Sequence, residues 1–155
     1  MVSRSRGCWW SHECIGEALA AVDAALSTGL PVWLALTAGP NADLMTPTQM
    51  HNVAREAVRI GAEAILVNCV PASQTLPFLT AIADCAPRFG AYANAGATSE
   101  ALGWSNESGA GERYLAFARQ WHAAGASIIG SCCGVSLCAT RRLADAFSTP
   151  PTPKS

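Results

Sequence analysis

Apolar residues recur at helical spacing between Glu13 and Ser27, where Leu19, Val22 and Leu26 share a face and Gly29 is placed to stop the helix. The pattern then switches to a short continuous apolar run, Pro31 to Thr37, which reads as a strand closed by Ala38-Gly-Pro40. Thr46-Pro-Thr-Gln49 opens the next helix: a capping threonine, proline at the first helical position, and a glutamine that completes a capping box. That helix runs to about Ile60 and ends at Gly61. Ala64 to Asn68 is a second strand, ending at Cys69, and Ser73 to about Asp84 is a third helix. Phe89 to Ala93 is a third strand, leading into Asn94-Ala-Gly96. A polar loop covers Ala97 to Gly111, a helix covers Glu112 to Ala124, and a fourth strand covers Ser127 to Gly130. The chain then enters Ser131-Cys-Cys-Gly134 and a last helix from about Cys138 to Phe147.

Helices thus alternate with short, near-continuous apolar strands. This is the signature of a parallel sheet in an α/β fold. The periodicity fits either a four-stranded doubly wound sheet or half of a TIM-type (β/α)8 barrel. Residues 13–147 form one domain, residues 1–12 an unpatterned leader, and residues 148–155 a proline-rich tail.

Composition narrows the function classes. The chain has 155 residues and a net charge of −1, with no basic cluster to attract nucleic acid or an anionic membrane. No apolar stretch approaches the roughly 20 residues of a membrane helix, and the leader lacks the apolar core of a signal peptide. A cytoplasmic address follows as the expectation. The seven cysteines then read as buried, metal-binding or catalytic rather than as a disulfide framework.

In either architecture the active edge is the C-terminal end of the strands. Cys69 ends the second strand, and Cys132 and Cys133 follow the fourth, so three thiols are able to converge on one point. Three soft ligands suit Zn2+, and a site with three protein donors keeps a position open, as catalytic zinc sites do. Adjacent cysteines alone are weak evidence, but the flanking glycines and a third thiol at a neighbouring strand end strengthen it. Cys14 and Cys85 fall in helical segments and read as packing thiols. Cys138 lies outside the signature. His12, His51 and His122 fall in or beside helices and read as solvated or packing residues. Trp33 and Trp121 read as core or helix–sheet packing, Asn68 as a strand-end cap, and Trp104 lies in a loop suited to a lid.

Val67-Asn-Cys69, Tyr92-Ala-Asn-Ala-Gly96 and Gly130-Ser-Cys-Cys-Gly134 resemble, in order, three signatures of the homocysteine S-methyltransferase family. Leu30-Pro-Val-Trp33, Gly61-Ala-Glu-Ala64 and Trp121-His-Ala-Ala-Gly-Ala126 also resemble that family, so the likeness runs from about Glu17 to Phe147. The resemblance implies a zinc-dependent methyltransferase built as a (β/α)8 barrel, with the metal on Cys69, Cys132 and Cys133. It implies that the homocysteine thiol takes the fourth metal position, attacks a methyl donor and gives methionine. It assigns Asn94 to the substrate pocket. Departures are visible: Gly134-Val-Ser-Leu replaces the usual Gly-Thr continuation, and Ser131 stands where glycine is common. The resemblance covers only the C-terminal half of such a barrel. The expectation is therefore an incomplete enzyme: a homodimer, a chain complemented by an N-terminal half, or a non-catalytic zinc-binding half-domain.

Overall fold

The computed structural model describes residues 12–104 and 108–148. The leader through residue 11, with Cys8, and the tail from residue 149 lie outside the described residues, as does the side chain of Cys14. The elements follow in the order α1 (His12–Leu26), β1 (Trp33–Leu36), α2 (Pro47–Ile60), β2 (Ala64–Pro71), α3 (Thr75–Ile82), β3 (Phe89–Asn94), α4 (Ala110–Ala123), β4 (Ile128–Ser131) and α5 (Leu137–Phe147). Single 3-10 turns precede α3 and follow β3.

All four strands are parallel and lie in sequence order, β1-β2-β3-β4. The α/β fold is equivalent to the C-terminal half of a TIM-type barrel. Side chains alternate across the sheet. Ile65, Val67, Ala91 and Ala93 point into the core that the helices cover. Leu66, Asn68, Gly90, Tyr92 and Asn94 therefore share the opposite face, where the register sets Asn68, Tyr92 and Gly130 side by side.

Local chemistry explains the boundaries. The Thr46 side chain accepts from the Gln49 amide, and the Gln49 side chain accepts from the Thr46 amide at 2.8 Å. The reciprocal pair satisfies two of the amides that a helix start leaves free. At α5, Ser136 takes over the capping role, its hydroxyl accepting from the Ala139 amide at 3.2 Å. The altered segment after the double cysteine thus still starts a helix. Under the sheet, Tyr114 and Trp121 on α4 are fully buried and meet edge-to-face with centroids 5.7 Å apart.

Two expectations change. Trp33 is not a core residue: it is 47% exposed, with the Arg88 guanidinium 4.9 Å from its ring centroid. On β1 it alternates with Leu34 and Leu36, which face the helix-covered core, so its indole points to the opposite face of the sheet, where no helix among the described residues covers it. β2 also runs past Cys69 to Pro71 rather than stopping at Asn68.

Close strand packing makes Gly90 indispensable. A Cβ there would lie 1.8 Å from the Ile128 carbonyl oxygen on β4, and backbone cannot yield as a flexible side chain does. Gly90→Ala is expected to cost at or beyond the upper end of the roughly 1–3 kcal/mol typical of overpacking. Thr46→Ala is expected to cost only about 1 kcal/mol, the loss of one cap. Chemical denaturation of the two variants checks the ranking.

Candidate metal centre

The site begins with a fault in the β2–β3 ladder. Asn68 pairs with Tyr92 and Pro71 with Asn94, so β2 carries one extra residue between them. This is a bulge, and Cys69 within it adopts φ +52°, a left-handed conformation unusual for a residue with a Cβ. Holding it there costs on the order of 1–2 kcal/mol. Buried Asn94 supplies the restraint. Its Nδ2 donates to the Cys69 carbonyl at 2.7 Å, and its Oδ1 accepts from the Gly96 amide at 2.7 Å.

The fourth strand delivers the other two thiols. Beyond the end of β4 the ladder continues: the Cys132 amide donates to the Ala93 carbonyl, and the Ala95 amide donates to the Cys133 carbonyl, both at 2.9 Å. The Tyr114 hydroxyl lies 2.9 Å from the Ala93 carbonyl and 3.0 Å from the Gly130 carbonyl, so it ties β3 to β4 at the root of both loops. Gly134 then turns at φ +76°, where an added Cβ would meet the Trp104 ring at 2.5 Å. The Trp104 indole N–H donates to the Gly96 carbonyl at 2.7 Å. Trp104 thus bridges the loops after β3 and β4.

The result is a cluster of three sulfurs. Cys69 Sγ is 3.6 Å from Cys133 Sγ, and Cys133 Sγ is 3.8 Å from Cys132 Sγ. All three lie within 4.8 Å of one another. Cys132 is also 3.8 Å from Asn68 Oδ1, so Asn68 faces the cluster and is more than a backbone cap. Burial, then the neighbouring Cys69 thiol, pushes the Cys132 thiol from an ordinary 9.0 up to about 12. Tyr92, half-buried on the same face, is raised by burial and then by the charges of Cys132 and Cys69. Tyr114 is raised too, chiefly by burial. A divalent cation changes this balance, because it stabilises the thiolates that burial disfavours. Three sulfur donors at these separations fit a zinc ion.

Not every chemically reactive residue joins. Cys138 is exposed on α5 and outside the trio. His122 stacks on Phe147 with centroids 5.2 Å apart. His51, Asp84 and Cys85 form a separate cluster. No pattern of residues marks Tyr114 as a brace, since a tyrosine in an amphipathic helix reads as packing.

The sulfur separations lead to a direct chemical test. A trivalent arsenical, which needs two neighbouring thiols, is expected to protect Cys69, Cys132 and Cys133 from alkylation in the metal-free chain. Exposed Cys138 remains reactive. Peptide mass spectrometry after alkylation reads the pattern, and equal protection of Cys138 would contradict the geometry.

Comparison with known proteins agrees with the architecture. A crystal structure of a putative phosphonomutase from Burkholderia cenocepacia J2315 superposes with a TM-score of 0.61 at 19% identity, over 88% of this chain and 59% of that one. The likeness is one of fold, and the chain spans about three-fifths of that protein's length. A search of curated proteins finds no significant match. The family model for homocysteine S-methyltransferase matches residues 12–147, which is nearly all of the described chain and contains every residue of the thiol cluster. The chain belongs to the homocysteine S-methyltransferase family.

Proposed function

We propose that this chain carries the metal half of a zinc-dependent homocysteine S-methyltransferase. The observation that carries the proposal is the meeting of Cys69, Cys132 and Cys133 at the C-terminal ends of two parallel strands. Cys69, Cys132 and Cys133 are the residues that would hold zinc, each as a thiolate. When bound, zinc supplies Lewis acidity that keeps an incoming thiol deprotonated at neutral pH, where a free thiol with a pKa of about 8.5 is mostly protonated.

The protein's own groups set the pocket around that chemistry. Asn94 fixes the bulge that turns Cys69 inward, and it borders the homocysteine position. Tyr92 and Asn68 line the same face of the sheet. Family membership suggests homocysteine as acceptor and a cationic methyl donor as partner. In the transfer, the homocysteine sulfur forms a bond to the methyl carbon. The donor's bond to that carbon breaks, and the electron pair leaves with the donor. The product is methionine, which places the reaction in methionine formation. Cytoplasmic residence is part of the same proposal. No helix among the described residues is long and apolar enough to cross a membrane.

Four strands do not close a barrel. β1 and β4 each have one strand neighbour among the described residues, and Leu30 and Trp33 beside β1 are 68% and 47% exposed. Open parallel edges invite pairing. Turnover therefore requires four further strands, from a longer chain, a separate N-terminal half or a second copy.

Two measurements test the proposal. Cys69→Ser, Cys132→Ser and Cys133→Ser are each expected to lower zinc affinity at least tenfold, and Cys138→Ser to leave it unchanged. Equal loss from all four would indicate adventitious binding. Sedimentation of the 155-residue chain is expected to show self-association, with methyl transfer only when completing strands are supplied. A monomer that methylates homocysteine unaided would overturn the second expectation.

A further inference from the structure

A second cluster of ligand-type side chains joins two helices of the outer layer. His51 lies on α2, and Asp84 and Cys85 lie in the turn that follows α3. His51 Nδ1 is 3.4 Å from Cys85 Sγ and 3.7 Å from Asp84 Oδ1, and Cys85 Sγ is 3.7 Å from that same oxygen. The Ala81 carbonyl oxygen adds a fourth donor, 2.8 Å from His51 Nδ1 and 4.0 Å from Cys85 Sγ. No residue is shared with the thiol trio.

Without a metal these contacts form a hydrogen-bonded joint. The His51 Nδ1–H donates to the Ala81 carbonyl, one of those a helix end leaves without an intrahelical partner. The Cys85 thiol has three acceptors within reach: the Asp84 carboxylate, the Ala81 carbonyl and, at 3.8 Å, the His51 carbonyl. Such a joint needs only the histidine and the carbonyl. The carboxylate and thiol add negative or potentially negative donors at the already negative end of α3. Burial, then Asp84, raises the Cys85 thiol, and the Arg55 guanidinium, a helical turn from His51, acts against this. The three side-chain donors are thus one imidazole, one thiol and one carboxylate around a common point. Their separations of 3.4, 3.7 and 3.7 Å are close to the roughly 3.3–3.8 Å edges of a tetrahedron built on zinc bonds of about 2.0–2.3 Å. The cluster is reachable from solvent, since the Asp84 side chain is 80% exposed.

We propose that His51, Asp84 and Cys85, with the Ala81 carbonyl, form a second, mixed-donor site for a zinc-class divalent cation that pins α2 to the end of α3. Binding forms bonds from the metal to the thiolate, imidazole and carboxylate. The Cys85 thiol proton leaves to solvent, and neutral His51 carries its remaining ring proton on Nε2, freeing Nδ1. Two anionic ligands then neutralise the divalent charge. Because the thiol must ionise, uptake strengthens as pH rises and one proton is released per ion bound.

Cadmium-113 NMR of the full chain tests this, because the chemical shift reports how many sulfurs bind each ion. The expected result is two resonances, one from three sulfurs and one from a single sulfur. Cys85→Ser abolishes the single-sulfur resonance and leaves the other, and Asp84→Asn weakens that site at least tenfold. In Cys69→Ser the single-sulfur resonance persists, so failure of the trio would not be mistaken for failure of this site. Absence of a single-sulfur resonance in the unaltered chain, or its survival in Cys85→Ser, would overturn the proposal.

Discussion

The two hydrogen bonds of Asn94 are the constraint on which the site depends. One oxygen and one amide of a single buried side chain, 3% exposed, fix the Cys69 carbonyl on β2 and the Gly96 amide after β3. Cys69 is held at a positive φ by this contact, in a conformation that an unrestrained chain would leave. The register of β3 against β4 then carries Cys132 and Cys133 to the same place, through backbone bonds that continue past the last strand residue. The strain at one residue is offset by packing and hydrogen bonds at several others.

A network of rigid supports surrounds that contact. Tyr114 braces β3 and β4 from beneath, and Trp104 closes over Gly134 while holding the Gly96 carbonyl. The thiols are consequently close before any ion arrives, which limits the reorganisation that binding requires. Burial makes the metal-free state of Cys132 a protonated thiol. Metal affinity at the proposed centre would therefore couple to pH, as it does wherever thiolate ligands compete with protons.

Much of this was legible in the residues. The capping box at Thr46 and Gln49, the glycine stops at Gly29 and Gly61, and the apolar runs located most elements within a few positions, because each signal is local. The convergence of Cys69 with Cys132 and Cys133 was legible too, since parallel strands share one active end. The bulge at Cys69 was not, because a left-handed cysteine is imposed by the side chain of Asn94, 25 residues away. Helix α4 begins at Ala110 rather than Glu112, two residues earlier than glycine content suggested. Trp33 misled for a different reason: aromatic character signals burial only where another element covers the strand. The His51–Cys85 contact, 34 residues apart, depends on how α2 and α3 pack, which no periodicity reveals.

The proposed function depends on one arrangement, three sulfurs at one ion. X-ray absorption at the zinc edge measures it most directly in chain whose second cluster is silenced by Cys85→Ser. Three sulfur neighbours at about 2.3 Å are expected, with a fourth sulfur on adding homocysteine. A zinc ion coordinated by two or fewer sulfurs, or a shell that homocysteine leaves unchanged, would contradict the proposal.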